Sequence, residues 1–339
     1  MTHTAAIAGV IVFALAGLDV PGETKHPGRR EEWKAKYVRP ASIPYPRDNP
    51  FTPERELLGR TLFFDPRLSA TRNISCATCH NPGFAWSDGL PKAVGHRNAQ
   101  GSRHTPTLMN LAWAELLFWD GRAASLEDQA LGPIASPLEM NRSPEQLAGE
   151  LACNAEYRTL FAKAYPGEAI SPKLIARAIA TFERSLVSGI SPFDRWVAGD
   201  ESAIGEEAKR GFDLFNSKGR CANCHPHWNF TDDGFHDIGL PDSDIGRATN
   251  LPLPSMQHAF KTPTLRNVDR RAPYMHDGSS ASLEDALEFY DRGGRAKRAS
   301  LDPDIVPLHL TAQEKAELLA FLHTLSSRDK PVEIPRFPR

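Results

Sequence analysis

Cys76-Ala77-Thr78-Cys79-His80 and, much further along the chain, Cys221-Ala222-Asn223-Cys224-His225 both read Cys-x-x-Cys-His, the pattern of c-type haem attachment. Two thiols three positions apart lie on one turn and can form thioethers to both haem vinyl groups. The adjacent His80 or His225 then projects towards the iron as proximal ligand. Paired cysteines could also build a zinc ribbon, but ribbon pairs sit about 15 to 20 residues apart, whereas these are offset by 145. A thioredoxin-like redox pair needs no His after both second cysteines. The pattern therefore predicts two covalently bound haem c groups. The fifth cysteine, Cys153, stands alone in a helical stretch and reads as a small buried residue.

The likeness between the two halves extends past the cysteines. Thr105-Pro106-Thr107-Leu108-Met109-Asn110 recurs as Thr262-Pro263-Thr264-Leu265-Arg266-Asn267, an offset of 157. Without a gap, Asp120-Gly121 then falls on Asp277-Gly278, and Ser125-Leu126-Glu127-Asp128 on Ser282-Leu283-Glu284-Asp285. The chain reads as two copies of one haem-binding unit. Apolar residues at three- and four-residue spacing predict a helix ahead of each cysteine pair, over 53–64 and 206–215. Further helices are expected over 144–151, 173–187, 283–290 and 312–325, with Ser171 and Ser282 as N-caps. Strand signals are weak throughout. The expected fold is mostly α: two cytochrome c-like haem domains, 50–195 and 196–330, parted near Gly189–Ser202 where Gly, Ser, Pro and Asp cluster.

Bulk properties exclude more than they identify. A chain of 339 residues with 40% apolar and 24% charged content can bury a sizeable core. A formal net charge of −2, with no run of Lys and Arg, argues against a nucleic-acid partner. Ala5 to Leu18 is an apolar run of secretory length, and Ala14-Leu15-Ala16 offers a small-x-small cleavage site, although only His3 stands where Lys or Arg is usual. Residues 1–18 therefore read as a signal peptide, and no other stretch is apolar enough to cross a bilayer. Residues 19–49 follow as an N-terminal extension, rich in charge and proline, that reads as an exposed strap.

The two copies differ where they should face the irons. Trp119 corresponds to His276, Gln129 to Ala286 and Pro133 to Tyr290. The first site thus lacks a strong ligand at the place where the second has a phenol. One open haem and one closed haem suit peroxide chemistry fed by electron transfer. Gln129 and Glu139 are ten residues apart, with a proline-containing segment between them that could fold both over the first iron. A carboxylate there can take a proton from bound hydrogen peroxide and return it to the distal oxygen, promoting O–O cleavage, while an amide orients the peroxide. A lone loop Glu is usually solvated, so Glu139 stands out only in the haem context.

Taken together, Cys76–His80, the run Phe118–Gln129, Glu139-Met140, the second Cys-x-x-Cys-His and Ala272–Gly278 resemble the bacterial di-haem cytochrome c peroxidase and MauG family. The resemblance runs from about Asn49 to the C-terminal helix. It implies a two-domain α fold, a periplasmic location and a calcium ion between the haem domains. It also implies that His80 holds a peroxidatic haem with Gln129 and Glu139 on its distal side, that His225 holds an electron-transfer haem, and that Trp119 bridges the two. Family peroxidases often carry a distal His sixteen residues after the first proximal His; His96, preceded by Gly95, stands at that spacing as a candidate second ligand of the first iron. Tyr290 stands where ordinary family peroxidases place Met and the MauG group places Tyr. A thioether raises the haem potential, whereas an anionic phenolate lowers it and favours higher oxidation states. The alternative is a core tyrosine with Met256 or Met275 as ligand. The sequence departs from the pattern twice: Gly219 replaces a Trp expected in the MauG group, and His104 replaces a calcium-binding Asn, leaving calcium to backbone carbonyls near Arg271 and Pro273 plus water.

The leading functional expectation is reduction of hydrogen peroxide to water. Electrons from a small cytochrome c or cupredoxin would enter at the second haem and cross by Trp119. The alternative is MauG-like oxidation of a partner protein through a high-valent two-haem state with Tyr290 as axial ligand. A pure electron-transfer cytochrome needs neither an open face nor an acid–base residue, so Gln129 and Glu139 speak against it. A homodimer is a further expectation.

Overall fold

The helices expected at the start of each repeat form, and each is buried against a later helix of its own half. A computed structural model describes residues 27–329 and 331–339; the signal peptide expected at 1–18 lies outside the described residues. Its helices are α1 (Pro27–Lys36), α2 (Pro53–Phe64), α3 (Cys76–Cys79), α4 (Leu126–Ala135), α5 (Pro144–Cys153), α6 (Ala155–Ala164), α7 (Pro172–Ser185), α8 (Pro192–Val197), α9 (Glu206–Phe215), α10 (Leu283–Asp291) and α11 (Ala312–His323). Among the described residues, β structure is confined to isolated bridges and two short antiparallel strands, β1 (Phe235–His236) and β2 (Phe260–Lys261), paired Phe235 with Lys261 and His236 with Phe260. Mostly helical architecture follows. Among the described residues, no helix is long and apolar enough to cross a membrane.

Local chemistry explains the helix starts. Thr52 caps α2 by accepting from Arg55 N–H, and Pro53 occupies the first helical turn, where its missing donor is not needed. Ser171 and Ser282 cap α7 and α10 in the same way. In each half, one glycine lets the paired helices touch through their backbones. A Cβ at Gly59 of α2 would stand 1.9 Å from the Ala178 carbonyl oxygen of α7, and one at Gly211 of α9 would stand 1.9 Å from the Glu317 carbonyl oxygen of α11. The repeat is therefore preserved in packing as well as in sequence. Adding that Cβ forces the helices apart, so Gly211→Ala is expected to lower the unfolding free energy by roughly 1–3 kcal/mol. Thermal unfolding of the haem-loaded protein checks this, and an unchanged midpoint would show that the close approach is dispensable.

Two large apolar cores and a smaller cluster around Leu117 and Leu126 result among the described residues. Leu58, Leu62 and Phe63 of α2 meet Ile179 and Phe182 of α7 in the first, while Phe212, Phe215 and Phe321 of α9 and α11 form the second. Each fully buried side chain of this size contributes roughly 1.5–3 kcal/mol. Phe193 and Trp196 of α8, which lies in the Gly189–Ser202 link, also belong to the second core.

Most of the described part of the extension is exposed, as its charge suggested, but it is pinned to the second core at Tyr37. Tyr37 is buried against Phe193, Phe212 and Phe230, and its hydroxyl donates to Asn216 Oδ1 at 2.9 Å. The far end of the chain crosses the other way, with Val332 and Phe337 packed on the first core. Cys153 also departs from expectation, for it is exposed at the end of α5. Its helix buries Leu147, Ala148 and Leu151 instead.

Candidate haem sites and the residues between them

Each Cys-x-x-Cys-His motif opens onto a cavity. Cys76, Cys79 and His80 line the first, and Cys221, Cys224 and His225 line the second. With the open mouths included, the space in them is about 1940 and 1660 Å³. Both histidines are held in the same way. His80 Nδ1 lies 3.1 Å from the Trp86 carbonyl oxygen, and His225 Nδ1 lies 2.8 Å from that of Phe230. Trp86 and Phe230 both take left-handed backbone conformations, with φ of 66° and 52°. A carbonyl can only accept, so Nδ1 carries the proton and Nε2 is left with its lone pair for a metal.

Burial favours this neutral form: it lowers the His80 pKa and brings that of His225 down to about 4. Three of the thiols are pushed the opposite way by the same cause: Cys76 is raised, Cys79 to about 11 and Cys221 to about 12. Cys76 and Cys79, held protonated together, do not make a reactive redox pair. Paired thiols beside a preset imidazole, opening onto a large apolar cavity, fit a covalently attached haem.

Gln129 and Pro133 sit one turn apart on α4 and both line the first cavity; their repeat partners Ala286 and Tyr290 on α10 line the second. Glu139 follows α4 in a tight turn, and its backbone is fixed by the Ser136 carbonyl and by the N–H of His96, which donates to Glu139 O at 2.7 Å. Gly95 permits that approach, since a Cβ there would lie 2.1 Å from the Leu138 carbonyl oxygen. Burial raises the Glu139 pKa, opposed by Arg122 and a hydrogen bond with Ser136. His96 is placed differently from the other candidates. Gly95 lines the cavity, whereas the His96 ring is not among the lining groups; it is buried, with Nδ1 lacking a partner among the described residues.

Trp119 lines both cavities. Its Nε1–H donates to the His104 carbonyl at 2.8 Å, and its ring meets His276 edge to face at 6.3 Å. Met275 lines the second cavity together with Tyr290, while Met256 does not. The calcium expectation meets a poor donor set. The His104 side chain offers no oxygen, its backbone carbonyl is taken by Trp119, and its ring nitrogens are taken by the Leu90 carbonyl at 2.7 Å and Ser87 Oγ at 3.2 Å. Arg271 adds a buried positive charge within electrostatic reach. Among the described residues, no cluster of three His, Cys, Asp or Glu groups could hold a metal ion. These side chains do not suit a hard cation, which would rest on the backbone carbonyls near Arg271 and Pro273 and on water.

The family model for the di-haem cytochrome c peroxidase matches residues 53–202. The methylamine utilization protein MauG of Methylorubrum extorquens is 49% identical over 90% of this chain and 87% of its own length. This chain belongs to the di-haem cytochrome c peroxidase and MauG family. The cytochrome c551 peroxidase of Pseudomonas aeruginosa is 36% identical over 88% of this chain and 86% of its own. Among solved structures, a MauG-like protein associated with microbial copper homeostasis is 34% identical and superposes with a TM-score of 0.80, covering 86% of this chain and 94% of that one. A peroxidase of this family is an oxidoreductase acting on peroxide and carries two covalently bound haem c groups.

Lys261 and Glu183 are among the cavity residues that the sequence did not single out. Lys261 lines both cavities and is ion-paired with Asp233. Glu183 lines the first from α7. Nothing in the pattern marks Glu183, because a Glu beside Arg in a helix ordinarily faces water.

Proposed function

We propose that the first haem site activates hydrogen peroxide and that the second exchanges electrons with a protein partner. The observation that carries this reading is that Gln129 and Glu139 line the same cavity as His80, while Trp119 lines both. A haem in the first cavity supplies an iron that binds peroxide and accepts electrons. His80 offers Nε2 to it, and the Cys76 and Cys79 sulfurs anchor the macrocycle. His225, Cys221 and Cys224 do the same in the second cavity. The Glu139 carboxylate takes a proton from one peroxide oxygen and returns it to the other, and the Gln129 amide holds the peroxide in line. Hydrogen peroxide, two electrons and two protons give two waters. For His96 to act as a ligand, its ring must leave the place it occupies behind Gly95.

A second reading is favoured by Tyr290 in the second cavity and by the two MauG relatives, the other being that of Methylophilus methylotrophus at 46% identity. In it the partner is itself the substrate and is oxidised by peroxide through the haems. Both readings place the protein in the periplasm, on the strength of the leader read at 1–18.

Stopped-flow oxidation of a reduced small cytochrome c by peroxide tests the proposal. Trp119→Phe is expected to slow electron transfer between the haems by roughly tenfold or more, with haem content and the initial reaction with peroxide unchanged. Equal rates would remove Trp119 from the path. Absence of any peroxide-dependent oxidation by protein carrying both haems would sink the first reading.

A further inference from the structure

Besides Glu139 and the Asp233 that pairs with Lys261, the first cavity receives a third carboxyl. Glu183, near the end of α7, is 4% exposed, and its Oε2 finds no hydrogen-bond partner among the described residues. The adjacent cation is engaged elsewhere: Arg184 donates from both terminal nitrogens to the two carboxylate oxygens of Glu127, at 2.7 Å each. Asn49 completes that pair by donating to Glu127 Oε1 at 2.7 Å. A carboxylate buried with neither ion pair nor donor is unfavourable, so the group keeps its proton. Burial raises its pKa to about 8, opposed by Arg184. Buried polar atoms are nearly always satisfied, and an unpaired one facing a cofactor cavity has its partner in that cavity.

We propose that Glu183 is a further proton-carrying residue of the first haem site, releasing its proton when that haem is oxidised and taking one up when it is reduced. This rests on the reading of the first cavity as a haem pocket. Arg184 on its own helix and Glu127 on α4 are the charged groups nearest Glu183; Glu139, Arg103, Arg122 and the Lys261–Asp233 ion pair line the same cavity, and Cys76 of α3 lies within electrostatic reach and becomes an uncharged thioether on attachment. Removing an electron adds positive charge to a space of low dielectric, where a carboxylate is worth more than in water. Loss of one electron by that haem would be matched by the one proton that Glu183 carries leaving for solvent, and return of that electron by one proton taken up. Over this one-electron couple the charge in the cavity stays constant, and the two protons consumed by peroxide reduction come from solvent.

Redox titration of the haem-loaded protein between about pH 6 and pH 9 tests this against the ordinary carboxyl value. In the wild type, the midpoint potential of the first haem should fall as pH rises, because deprotonation stabilises the oxidised state. Glu183→Gln should flatten that slope, and Glu183→Asp should retain it. Redox-difference infrared spectra should show a protonated carboxyl band that is lost on oxidation and absent from Glu183→Gln. The same slope in wild type and Glu183→Gln, with both haems attached, overturns the proposal. If Glu183→Gln fails to take up the first haem, the wild-type band decides: a band unmoved by oxidation also overturns it. Wild-type protein with haem only at Cys221 and Cys224 would instead refute the haem reading of the first cavity, which haem content measures separately.

Discussion

Glu139→Gln is expected to slow peroxide turnover by about 10²–10⁴-fold, the usual contribution of a positioned acid–base group. The substitution keeps the size and shape of the side chain and can keep a hydrogen bond with Ser136, but an amide cannot carry a proton between two peroxide oxygens. The loss should therefore fall on kcat and kcat/KM together, since the missing interaction belongs to the transition state. The backbone around Glu139 is held by Ser136 and by His96 N–H, so the change should not move the turn. The second haem should be untouched: its midpoint potential and its reduction by the partner should match the wild type. Steady-state oxidation of reduced cytochrome c, with haem content as control, reads the effect. Unchanged turnover would reduce Glu139 to a wall of the cavity and leave the proton to water or to Glu183.

The same measurement bears on pH. Burial lifts the Glu139 carboxyl above its ordinary range, and proton abstraction needs the ionised form, so activity limited by this step should decline as pH falls through the raised value. Arg122 opposes the lift, and removing its charge should move the decline to higher pH.

Much of this arrangement was legible because the chain says it twice. The 157-residue offset aligned Trp119 with His276 and Pro133 with Tyr290 before any fold was considered. The six expected helices were equally readable, since each has a cap or a periodic apolar face that depends only on near neighbours. What escaped depends on distant parts of the chain. The first turns of α1 carry charges rather than an apolar face, and Tyr37 is buried only because α8, α9 and the Phe230 loop surround it. α4 carries Gly132 and Pro133 in its last turn, which hides the helix in the sequence, yet Ser125 caps it and its first turn brings Gln129 to the cavity. Glu183 carries no mark in the sequence: Arg184, one residue on, does not share its face of the helix and is gripped by both oxygens of Glu127. His96 shows the converse: its spacing suggested a ligand, but spacing says nothing about which way a ring turns.

Tyr290→Phe is the substitution that separates the two readings of function. If the phenol is an axial ligand of the second haem, its removal takes away an anionic oxygen that stabilises higher oxidation states. The midpoint potential of that haem should then rise by at least ~59 mV, a factor of ten in a one-electron equilibrium. Its EPR signature should change at the same time, and the oxidised state formed on adding peroxide should decay faster. A partner-oxidising enzyme needs that state to persist until the partner is engaged, so it should lose activity on the partner. A plain peroxide reductase only needs electrons to pass, and Tyr290→Phe should leave its turnover near the wild-type level. Tyr290→Met sharpens the comparison, since a thioether placed on the same turn of α10 should raise the potential further while restoring a six-coordinate haem. If wild type and Tyr290→Phe give the same EPR spectrum and potential, the tyrosine is a packing residue. Met275, on the wall of the same cavity, then becomes the ligand to test, and the balance moves to the peroxide-reducing branch.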